Sequence, residues 1–95
     1  MQRRRFDRLV LELTLALDRP LPRFALWQAV HDAGLDPERW TGAEAERFCR
    51  LDLPRWLRRH GYGLSDTRVA RIARTLGRFD PTQLCAEDHF ARHSD

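Results

Sequence analysis

Apolar residues return at helical spacing along most of the chain, and nowhere do they alternate long enough to predict a strand. Phe6, Leu9, Val10, Leu13 and Leu17 predict a first helix over residues 4–17. Leu11 and Leu15 widen its stripe beyond one seam, so the face is either covered by two neighbours or left open for a homodimer. Arg3, Arg4 and Arg5 crowd the positive end of this helix, where they are expected to be solvated and frayed. Asp18-Arg-Pro-Leu-Pro22 then forces an extended connector.

A second helix is expected from about Pro22 to Gly34, with Phe24, Trp27 and Val30 facing inward and Leu26 beside them. Asp36-Pro37 predicts a single helical turn before Trp40. Of the three tryptophans, Trp40 is the first candidate for an exposed interface residue. Thr41-Gly-Ala-Glu44 is a capping box and starts a third helix near Gly42, with Ala45, Phe48 and Cys49 inward. Pro54 ends or kinks that helix near Leu51. Asp52 should cap a short fourth helix over 53–60 that buries Leu53, Trp56 and Leu57, and Gly61 and Gly63 supply the turn after it.

Ser65 is the expected cap of a fifth helix, with Leu64 and Val69 as its hydrophobic staple. Val69, Ile72, Ala73 and Leu76 form one apolar face of that helix, and Gly77 weakens its end. Asp80-Pro-Thr-Gln83 predicts the start of a sixth. The expected fold is all-α: a small single-domain bundle of five to six short helices, frayed at residues 1–3 and 92–95, with a helix-turn-helix pattern at 53–79.

A length of 95 residues fits one domain, with a core that needs no covalent staples. No apolar run approaches the ~20 residues that cross a bilayer, so no membrane role is expected. The basic start lacks the apolar core of a signal peptide, because Asp7, Arg8 and Glu12 interrupt it. Two cysteines are too few for a disulfide framework, and a cytoplasmic location is expected.

All 17 basic residues are arginine, which reads as genomic codon bias as much as function. The distribution of charge is more informative than its total. From Arg50 to Arg78 stand eight arginines and two acids, a balance of +6, against −3 for the rest of a chain of net charge +3.

That clustering makes Arg55, Arg58, Arg59, Thr67, Arg68, Arg71, Arg74 and Arg78 the candidate binding residues. In a helix-turn-helix, Asp66, Thr67, Arg68 and Arg71 would face base edges, and Arg55, Arg58, Arg59, Arg74 and Arg78 would hold phosphates. The match is incomplete, since the 60–65 turn is longer than the usual three or four residues. The expected partner is nucleic acid, duplex DNA first. The alternative is an acidic protein surface met by the same arginines, as a small helical adaptor or inhibitor would do.

Cys85, His89 and His93 share one face of the predicted sixth helix, and Cys49 could complete a zinc site with them. Yet Cys49 has no paired ligand beside it, so the expectation is no metal and no cofactor. No phosphate loop, nucleophile elbow or paired-acid motif is present, and no catalytic residue is assigned.

Overall fold

The computed structural model describes residues 4–79, and these fold as an all-α domain. Five helices follow one another: α1 (Arg5–Leu17), α2 (Arg23–Asp32), α3 (Gly42–Leu51), α4 (Leu53–Arg59) and α5 (Asp66–Arg78). The expected sixth helix, and with it Cys85, His89 and His93, lies outside the described residues, as do the termini expected to fray. No helix among the described residues is long and apolar enough to cross a membrane.

Local sequence sets most boundaries. Thr41 and Glu44 form the capping box: Glu44 N–H donates to Thr41 Oγ1 (3.1 Å) and Thr41 N–H donates to Glu44 Oε1 (2.8 Å). Ser65 Oγ accepts from the Arg68 amide at the start of α5 (3.3 Å). The single turn before Trp40 forms, with Trp40 N–H donating to Asp36 O (2.8 Å). Asp52 behaves differently from expectation. It has helical dihedrals and makes no side-chain cap, so α3 runs almost directly into α4. Its carboxylate pairs instead with Arg55 (3.2 Å).

The tightest packing is between α3 and α5, which lie antiparallel with Gly42 against Gly77. Gly42, Ala45 and Cys49 fall at i, i+3, i+7 on α3, and Ala70, Ala73 and Gly77 fall at the same spacing on α5. These small residues let the two backbones approach closely. Gly77, near the end of α5, thus also serves the close approach of α3. Helix α1 packs on the other flank of α5, and α4 packs on α3. The core is a single cluster that includes Leu9, Leu13, Leu26, Val30, Phe48, Leu53, Leu57, Ile72 and Leu76.

Three further expectations fail. Phe24 does not face inward; it is 75% exposed, and Leu26 and Val30 form the buried stripe of α2. Apolar residues occupy every side of α2, so periodicity could not choose among faces. Trp40 is not exposed; it is 2% accessible and meets the Phe48 ring edge-on at 5.7 Å. Arg5 is not solvated. Its guanidinium donates to the carbonyls of Leu76, Trp40 and Phe79, which ties the start of α1 to the end of α5. A cation is favourable at that negative helix terminus, although it was unfavourable at the start of its own helix.

Candidate functional site

Helix α5 has two chemically distinct sides. Val69, Ile72, Ala73 and Leu76 are buried. At 100° per residue, Thr67, Arg71, Arg74 and Arg78 project on the opposite side, and all four are partly or fully exposed. Over the 13 residues of α5 the only acid is Asp66, in the first turn.

Helix α1 supplies the other wall of the site. Arg8, Arg71, Arg74, Thr75, Arg78 and Phe79 line a cleft of about 310 Å³. Among the described residues no carboxylate lines it. Arg71, Arg74 and Arg78 make no ion pair among the described residues. Arg8 is held at its Nε by Glu12 (2.9 Å), one turn along α1, and its guanidinium carbon lies 5.9 Å from the Phe79 ring centroid. Thr75 is not a free donor, because its hydroxyl already donates to Arg71 O (3.0 Å).

A second groove of about 300 Å³ continues from this cleft, sharing Arg71 and Thr75. Its floor is more apolar, with Leu15, Ala16 and Ile72, and Glu12 and Arg68 stand at its edges. Arg68 donates to Ala16 O near the end of α1 (3.2 Å), so part of its hydrogen-bonding capacity is used within the fold.

The structure separates the predicted site residues into groups. Arg71, Arg74 and Arg78 come together with Arg8, and Thr67 lies on the same side of α5. Arg55 and Arg59 line a different cleft, about 250 Å³, which also contains Asp32 and Asp52. The charge there is largely balanced. Arg58 is exposed on α4 without an ion pair among the described residues. Helix α5 is braced by α3 and α1, and it touches α4 only sparsely. The α4–α5 pair is thus not the closely packed unit of a helix-turn-helix.

Arg8 and Phe79 were missed by sequence reasoning. Arg8 lies beside the apolar stripe of α1, and no local signal connects it with residues more than 60 positions away. The charge balance over 50–78 could not include it.

Cys49 is fully buried in the α3–α5 seam, and burial pushes its thiol up to about 12. A protonated, inaccessible thiol is a poor metal ligand. Among the described residues no group of three His, Cys, Asp or Glu side chains could hold a metal ion.

No family model, curated protein or solved structure matches this chain.

Proposed function

We propose that this chain is a small non-enzymatic nucleic-acid-binding protein that holds backbone phosphates in the cleft between α1 and α5. The observation that carries this is the convergence of Arg8, Arg71, Arg74 and Arg78 on one concavity with no carboxylate in its lining among the described residues. Guanidinium groups present planar forks of donors that match phosphate oxygens. Arg71, Arg74 and Arg78 have no ion-pair partner among the described residues, so they repel one another, and a polyanion removes that repulsion while releasing its own condensed cations. Thr67 and Arg58 extend the polar surface beyond the cleft. Arg55 and Arg59 take a lesser part, because Asp32 and Asp52 already share their cleft. The buried free thiol of Cys49 accords with a reducing, cytosolic setting.

Charge-removing substitutions test this reading. Arg74→Ala and Arg78→Ala should each weaken binding several-fold on every sequence alike, as loss of a phosphate contact does. Arg55→Ala and Arg59→Ala should change it far less. Equal losses from both pairs would contradict the assignment of the α1–α5 cleft.

A second reading has its own support. Leu15 is 68% exposed and lies in the groove that contains Arg68 and Arg71. An exposed apolar residue beside cations suits an acidic protein partner with one apolar anchor. Leu15→Ser should abolish such a partnership and leave nucleic-acid binding intact.

A further inference from the structure

Phe24, Trp27 and His31 form a ladder of rings along the outer side of α2. Phe24 and Trp27 have centroids 6.2 Å apart with planes inclined by 14°. Trp27 and His31 have centroids 5.5 Å apart, inclined by 11°. Phe24 and His31 are exposed and Trp27 is half-buried. Trp27 packs in part against the core, but Phe24 is 75% exposed and His31 is exposed, so among the described residues the outer ends of this ladder are left to solvent.

Trp27 lines a small cleft with Arg4 and Phe6 of α1. Arg4 is the extended residue that precedes α1, four residues before Arg8 along the chain. Arg8 in turn lines the cleft with Arg71, Arg74 and Arg78. The two sides of α1 are distinct. Asp7 pairs with Arg23 of α2, whereas Ala16 accepts from Arg68 of α5. Helices α2 and α5 thus both contact α1, and a path from the arginines of α5 to the rings of α2 would pass the cleft lined by Arg8 and then the cleft lined by Arg4.

If the arginine cleft holds phosphates, as proposed above, we infer that this path is a track for single-stranded nucleic acid, with unpaired bases stacking on the Phe24–Trp27–His31 ladder. Base-to-ring stacking accepts every base because every base has a π-face. A duplex keeps its bases paired and hides those faces, so the ladder discriminates by strandedness and not by sequence. Arg4 and Arg23 are already engaged with Asp7 and Glu38, so this end of the track has little free positive charge and contributes through stacking.

The test compares three fluorescent probes of one length at low salt: a mixed-sequence single strand, the same backbone with abasic sites, and the duplex. The full chain should bind the single strand about tenfold more tightly than the abasic strand. Phe24→Ala, at an exposed position, should erase that difference without changing abasic binding, and Phe24→Tyr should restore it. The ladder proposal is overturned if single and abasic strands bind alike. It is also overturned if Phe24→Ala weakens both equally, or if Phe24→Ala only turns a dimer into a monomer. In those cases the phosphate cleft stands, because the abasic strand still binds. If no probe binds, the underlying nucleic-acid reading fails as well.

Discussion

Single residues decide how closely the elements of this fold approach. A methyl group added at Gly42 would run into the backbone carbonyl of Gly77, and a backbone cannot step aside as a side chain can. Gly42→Ala should therefore force α3 and α5 apart and cost about 1–3 kcal/mol. In a domain of this size that is a fall in Tm of roughly 4–8 °C per kcal/mol, readable by thermal denaturation. Gly77→Ala meets the Glu46 side chain first, whose carboxylate can swing away and whose Cβ at 3.3 Å must yield by a few tenths of an ångström, and it gains about 1 kcal/mol of helix propensity. Its Tm should stay near that of the wild type, so the two glycines, although they face each other, should behave differently. Cys49 sits in the same seam. With its thiol pushed up by burial, it should resist iodoacetamide in the folded chain at pH 8 and react on denaturation, as peptide mass spectrometry would show. Rapid labelling of Cys49 in the folded chain would mean that the α3–α5 seam opens. Trp40 shows what residue-level reasoning leaves undecided. Nothing local distinguishes a tryptophan that anchors a core from one that anchors an interface. Its burial comes from Phe48 and from an arginine 35 residues earlier that binds its carbonyl.

At the scale of elements, boundaries were the most legible feature, because caps are local chemistry. The Thr41–Glu44 box, the Ser65 cap and the proline-bounded connector read directly into helix starts and stops. Faces were legible where one stripe dominates, as on α5, and illegible on α2, where Phe24, Leu26, Trp27 and Val30 offer several. Relations between elements were not legible at all. Arg5 reads as an electrostatic misfit on α1 and becomes a C-terminal cap of α5 only once the helices are docked. The pair between Asp7 of α1 and Arg23 of α2 is of the same kind. Partial burial pushes the Asp7 carboxyl up, but the hydrogen bond and charge of Arg23, helped by the Arg4 amide and charge, outweigh it and hold the carboxyl below its usual value. A carboxyl depressed in the folded state stabilises the fold above its unfolded value and loses that contribution as pH falls through the folded value. Asp7→Asn should therefore lower Tm at pH 6, and the gap from wild type should shrink steadily as pH falls below the usual carboxylate range. A gap of constant size as pH falls would show that the α1–α2 contact does not depend on the charge of Asp7.

For the whole molecule, the arrangement of charge matters more than its amount. Eight arginines between residues 50 and 78 suggested one basic face, and the fold distributes them. Arg50 pairs with Glu46, Arg55 with Asp52, and Arg59 shares a cleft with Asp32 and Asp52. Arg71, Arg74 and Arg78 are left to meet Arg8 from the far end of the sequence. The candidate site was half legible: the α5 ridge follows from helical spacing, whereas its second wall depends on how α1 docks. Within α1 itself, Glu12 pairs with Arg8 and so offsets part of the charge on that wall. The most direct test of the cleft is an anisotropy titration of a labelled random-sequence strand over a range of salt. Four arginines on phosphates predict that log affinity falls against log salt with a slope of about −3. Replacing Arg71, Arg74 and Arg78 together by alanine should cut the magnitude of that slope to about 1. Absence of binding at the lowest salt, or a slope that the triple replacement leaves unchanged, would contradict the assignment of nucleic-acid binding to this cleft.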